Sequence, residues 1–189
     1  MVNLPEKLNN IFLRYFLIIL FAIPNLLIFY IVFAPLTVYP VYFILNIFFD
    51  TVLYQNIIIV AHEIPIELID ACIAASAYYL LFVLNMSIPN IKINKRLKMI
   101  AFSFAILLSI NLFRIILLSV LYVNGSAVFD FTHKLFWYLG NLIFVVAIWF
   151  TEVKLYNIKE IPFYSDLKFF FTLRKKTYKS NSSKKNNRA

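Results

Sequence analysis

The chain has 189 residues, 62% of them hydrophobic and 14% charged, where a typical soluble domain is about a quarter charged and under half apolar. A core of this size cannot hide so much apolar surface, so the bilayer is the predicted partner. A total of 2 Gly argues against a glycine-loop nucleotide site, and the formal net charge of +9 is concentrated late, with ten of the 18 Lys and Arg after Glu152, which reads as a cytoplasmic membrane flank touching anionic lipid and not as a nucleic-acid surface.

Tyr15 to Ala34 form an apolar run of spanning length, with Arg14 at its entry and Pro24 inside; a span needs about 20 apolar residues. The run is too long for a typical signal-peptide core and lacks an evident small-residue cleavage site, so it is read as a span. Pro35 and Pro40 are expected to break the chain next. That leaves Tyr39 to Phe49 as a short apolar stretch closed by Asp50. From Tyr54 to Ile69 the β-branched residues and the segment His62-Glu63-Ile64-Pro65-Ile66-Glu67 predict a short extended, hairpin-like element.

Asp70 is placed to cap a helix from Ala71 to about Ile88, which carries Cys72, Ser76 and Tyr78-Tyr79. Lys92, Lys95, Arg96 and Lys98 make a compact basic loop. A further apolar segment runs from Met99 to about Val123, interrupted only by Arg114, and Asn124-Gly125-Ser126 then reads as a turn. Asp130 and His133 open the last span, which continues through Trp137 to Phe150. The polar, basic tail ends in a Ser/Asn/Lys-rich stretch whose composition predicts disorder, and its segment Ile161 to Lys176 suits the inner membrane surface. The predicted fold is all-α: a polytopic transmembrane helical bundle over residues 1–155, with a short extended or re-entrant element before the cysteine helix, and a basic cytoplasmic tail over 156–189.

Charge orients these segments by the positive-inside rule. Lys92–Lys98 and the tail are basic and therefore cytoplasmic. Asp50–Asp70 holds four acidic residues and no Lys or Arg, which makes it external, as is the loop Tyr122–Asp130. Lys7 and Arg14 favour a cytoplasmic N-terminus. One full crossing must then precede Asp50, so Tyr39–Phe49 is read as a re-entrant or partial helix, with an external N-terminus as the other option.

On this topology Cys72 and His133 each lie at the outer start of a helix, and Arg114 sits about two turns below the outer end of the helix between them. A lone Cys in a membrane helix is most often a small packed hydrophobe, and a His near an interface is often a boundary residue. Arg114 is different, because a guanidinium at membrane depth costs at least about 2.5–3.5 kcal/mol and so faces a polar interior. Asn111 shares its helix face and can hold it. A nearby cation favours a thiolate. His133 can take the thiol proton and later give it to a leaving amine, and Arg114 can stabilise an oxyanion. Asp130 either orients His133 or caps its helix. Glu67 and Asp70 oppose thiolate formation if they point at Cys72. No cofactor is expected, and Cys72, His62 and His133 are too few and too irregularly spaced for a metal.

The segments Asp70-Ala-Cys72-Ile-Ala-Ala-Ser76-Ala-Tyr78-Tyr79, Asn111-Leu-Phe-Arg114 and Phe129-Asp-Phe-Thr-His133 resemble the signature segments of exosortases and archaeosortases, over roughly residues 35–150. The resemblance implies a membrane-embedded cysteine transpeptidase or protease with Cys72, Arg114 and His133 as its catalytic residues; Asn111, Asp130 and Ser76 are expected in support on this chain's own pattern. It further implies secreted protein substrates cleaved near a C-terminal sorting signal, made of a short motif, a hydrophobic helix and a basic cluster, with transfer to a lipid or other surface acceptor. The active site would lie on the extracytoplasmic side of a multi-pass cell-membrane protein. Many members carry Ser-Gly directly after the cysteine, where this chain has Ile73 and Ala74, leaving more of the oxyanion to Arg114. Two readings from other classes are a non-enzymatic membrane scaffold and a small transporter in which Arg114 grips an anion.

Overall fold

A computed structural model describes residues 4–23 and 25–174. The chain is mostly helical. In order it forms α1 (Leu4–Ala22), α2 (Leu27–Phe48), a sheet of β1 (Thr51–Tyr54), β2 (Ile57–Val60) and β3 (Ile64–Glu67), then α3 (Asp70–Ile73), α4 (Ala75–Met86), α5 (Ile93–Val123), α6 (Phe129–Leu135), a π-helical turn (Phe136–Gly140) and α7 (Asn141–Leu155). A last helix, α8, covers residues 164–174. Two of these, α2 and α5, are long and apolar enough to cross a membrane. At about 1.5 Å per residue, α5 is about 46 Å long, well beyond the roughly 30 Å of hydrocarbon in a bilayer.

The breaks fall elsewhere than the sequence suggests. The expected span over 15–34 is interrupted between Ala22 and Leu27, where Asn25 and Leu26 take positive φ; Pro24 lies outside the described residues. Pro35 and Pro40 instead sit inside α2, so Tyr39–Phe49 is no re-entrant element but belongs to one helix of 22 residues. Each proline removes a single backbone donor and costs roughly 3 kcal/mol in isolation. Here α2 packs along α4 and α5 through buried side chains including Phe33, Val38, Val41 and Leu45, and the helix continues through both sites.

An all-α chain was also too simple. The extended segment is a three-stranded antiparallel meander, paired Thr51↔Val60 to Tyr54↔Ile57 and Ile57↔Glu67 to Val60↔Ile64. Along β2 the period-2 alternation of a half-buried strand is visible: Ile58 and Val60 are fully buried while Ile57 and Ile59 are not. Ile58 and Val60 join Val38, Val41 and Leu45 of α2, Leu68, and Ile115 of α5 in one apolar cluster. This seats the sheet on the end of the helices. A second cluster, built on Phe29, Phe33, Tyr78, Leu81, Leu107 and Ile148, joins α2, α4, α5 and α7, and the Phe33 and Tyr78 rings stack at 3.6 Å.

At the opposite end, two buried arginines close the C-terminus of α4. Arg96 donates to the carbonyls of Asn85, Met86 and Ile88 at 2.6, 2.9 and 2.8 Å. Arg14 donates to Met86 O at 3.2 Å and to Asp166 Oδ2 at 2.7 Å. A helix end leaves carbonyls without intrahelical partners, and cations there are favoured by the helix dipole. Arg96 is thus more than a marker of a basic loop. The ion pair with Asp166 ties α8, the first part of the tail, to α1; the Ser/Asn/Lys-rich end of the tail lies outside the described residues.

Candidate active site

Cys72 lies in α3, a single turn. Its N–H donates to Ile69 O at 2.8 Å, and the turn ends at Ala74, whose φ of 59° and ψ of 34° are left-handed. The expected continuous helix from Ala71 to Ile88 is therefore two pieces, with Cys72 on the short one. Asp70 is the first residue of α3, and Ile69 occupies the cap position. Ala74 and its neighbours Ile73 and Ala75 are buried, so packing holds a backbone conformation that costs an L-residue about 1–2 kcal/mol.

From α5, buried Asn111 donates to the carbonyl of Cys72 at 2.7 Å. The sequence suggested Asn111 as a support for Arg114; the bond it makes instead fixes the backbone of the cysteine. One turn further along the same helix face stands Arg114, which is also buried and lines the same cavity as Cys72.

His133 comes from α6, held between two rings. It stacks on Phe129 at 5.4 Å and 8° and meets Trp137 edge-on at 6.2 Å. These partners lie four residues before and after it, on the same helix face. The π-helical turn that follows carries Phe136 and Trp137; such bulges recur at functional sites.

Cys72, Arg114 and His133 all line one cavity of about 200 Å³, room for several water molecules. Its wall also includes Pro65, Ile66, Glu67 and Leu68 of the sheet, Ser119 and Tyr122 of α5, and Phe129, Phe136 and Trp137. Cys72 is half-buried there and His133 is exposed. Ser76 is exposed on α4, and Asp130 is exposed in the first turn of α6. Neither lines the cavity. Asp130 is not the cap, a position held by Val128, and it makes no ion pair with His133.

Glu67 was foreseen only as an anion near the thiol; it forms part of the wall. The aromatic side of the cavity was missed, although the spacing of Phe129, His133 and Trp137 was a signal in plain view. Among the described residues no three of His, Cys, Asp and Glu converge as a metal-binding group. No family model, no curated protein and no solved structure matches the chain.

Proposed function

We propose that this protein is a membrane-embedded cysteine transpeptidase or protease of the exosortase/archaeosortase kind, acting on secreted proteins near a C-terminal sorting signal. The observation that carries the reading is the shared cavity of Cys72, Arg114 and His133. They come from three elements that are far apart in sequence, and they are a nucleophile, a cation and a proton carrier. A cysteine that merely packs in a core needs neither of the other two.

In this reading His133 takes the proton from Cys72 Sγ, and the thiolate attacks the carbonyl carbon of the scissile peptide bond. Arg114 balances the negative charge on the carbonyl oxygen, an interaction strengthened by a low-dielectric surround. The C–N bond then breaks, and the leaving amine nitrogen receives the proton from His133. The remaining thioester passes its acyl group to an acceptor amine, hydroxyl or water, whose proton returns through His133 as the Cys72 thiol re-forms. Asn111 holds the main chain of Cys72 still throughout.

The reading also supplies a topology. Arg14, Met86 and Asp166 are in contact, which gathers α1, the end of α4 and the tail at the basic, cytoplasmic end. The acidic sheet stands at the other end of α2. In this reading α1, which packs along α4 from Met86 to Tyr79, stays in the inner leaflet, and α2 is the single crossing that takes the chain out. On the same reading α3 with α4, then α5, then α6 through α7 make the further crossings of a four-crossing bundle, with the cavity near its extracytoplasmic face. A cytoplasmic N-terminus then needs no re-entrant segment.

The test is co-expression with a secreted reporter ending in a hydrophobic helix and a basic cluster, read by the mass of its mature C-terminus. Cys72→Ala, Arg114→Ala and His133→Ala should each abolish processing while the protein stays in the membrane. Full processing by Cys72→Ala ends the proposal.

A further inference from the structure

The sheet before Cys72 has a free edge. With the strand order β1-β2-β3, β3 pairs on one side only among the described residues. Leu68 N–H donates to Asn56 O at 2.9 Å, on the β2 side. Backbone groups of alternate residues in an antiparallel strand point the same way, so Leu68, Ile66 and Ile64 turn theirs towards β2. Pro65 and Glu67 turn theirs outward. Pro65 has no N–H to offer, which an edge strand tolerates and a central strand does not. The outward groups are thus the carbonyls of Pro65 and Glu67 and the N–H of Glu67, and both residues are exposed.

This edge borders the reactive cavity. Pro65, Ile66, Glu67 and Leu68 all line it. Successive side chains of a strand point to opposite faces, yet Pro65, Ile66 and Glu67 of β3 all line the cavity, as does Leu68 just beyond the strand, which fits an edge turned towards it. Cys72 follows a few residues on, at the end of the same run of backbone.

We propose that the substrate polypeptide binds as a fourth, extended strand on the free edge of β3, bonded through its own backbone to the N–H and C=O of Glu67 and the C=O of Pro65. The added strand brings its acyl carbonyl to Cys72 Sγ. The inference rests on the acyl-transfer reading and extends it to the form of the substrate: a segment that is extended ahead of the cleaved bond and carries an N–H opposite Glu67 C=O. Adding a strand supplies affinity through main-chain hydrogen bonds and leaves specificity to the side chains.

The chain has 1 Cys, so maleimide labelling of the full-length protein in lipid nanodiscs reports on Cys72 alone. The probes are the tetrapeptide aldehyde acetyl-Val-Ala-Val-alaninal, its variants N-methylated at each amide in turn, and N-acetyl-alaninal. Both parent aldehydes should protect Cys72, the tetrapeptide at least about tenfold better. N-methylation should weaken protection by about tenfold at alternate amides only. Glu67→Pro, which removes the outward N–H of β3, should weaken the tetrapeptide similarly; if that variant fails to fold, the N-methyl series on the unaltered protein decides. Protection without alternation overturns the added strand and leaves the acyl-transfer reading standing. Failure of N-acetyl-alaninal to protect Cys72 overturns both. A fall in oligomeric mass on Glu67→Pro assigns the edge to a second copy of the chain and overturns the substrate role.

Discussion

Ala74→Gly separates a broken cysteine helix from a continuous one. Ala74 is buried, at 2% exposure, and left-handed. Glycine there relieves about 1–2 kcal/mol of steric cost. Against this stand roughly 0.5–1 kcal/mol of extra backbone entropy and about 0.8 kcal/mol for the lost methyl group. The sum lies within about 1 kcal/mol of zero. Were residues 71–88 one regular helix, nothing would be relieved and the two losses would add to nearly 2 kcal/mol. The assay is reversible unfolding in mixed micelles by an SDS titration, followed by Trp fluorescence. A midpoint shift equivalent to about 2 kcal/mol of destabilisation refutes the broken turn and, with it, the presentation of Cys72 on a separate short segment.

Asn111→Leu leaves the part-buried carbonyl of Cys72 without its donor, a loss of about 1–3 kcal/mol; Cys72 labelling should change in rate while Asn111→Gln restores part of the original value. Asp166→Ala removes the carboxylate from a nearly buried ion pair with side-chain exposures of 10% and 4%. It should destabilise by about 3–5 kcal/mol, with part recovered by adding Arg14→Met, and thermal unfolding checks both. Glu152 is fully buried and accepts from Asn85 Nδ2 at 3.0 Å, while Glu152 Oε1 and Asn85 Oδ1 have no hydrogen-bond partner among the described residues. Glu152→Gln keeps the acceptor and supplies a donor for Asn85 Oδ1, so it should hold stability within about 1 kcal/mol, whereas Glu152→Ala should lose about 2 kcal/mol or more.

What the sequence revealed depended on how local the signal was. The apolar segments, the acidic extended element and the basic loop are written in consecutive residues, and each has its counterpart in α2, the sheet and the start of α5. Breaks were harder to place. A proline is a local cue, but whether it ends a helix is decided by neighbours that the sequence does not order, and α4 and α5 hold α2 intact through Pro35 and Pro40. Ala74 gives no cue at all, since nothing about alanine announces a positive φ. Cys72, Arg114 and His133 were singled out because each is chemically unusual for its depth, and the fold brings the three to one cavity. Ser76 and Asp130 were included because they stood close in sequence, and proximity along a helix says little about which face a side chain takes.

The three buried arginines sharpen the point about Arg114. Arg14 and Arg96 direct their N–H groups at the carbonyls that end α4, so burial alone is accounted for by a structural duty. Arg114 stands inside α5, away from the end of α4 that the other two serve. It lines the cavity shared with Cys72 and His133, and in the proposed reaction the cost of a buried cation is offset when a negative charge develops beside it. Depth gives Arg114 its strength as an electrostatic group. The free edge of β3 gives an incoming chain a fixed line of approach to it. Under the proposed acyl transfer, the sheet and the arginine would address two separate needs, orientation of the substrate and stabilisation of the charge that forms on it.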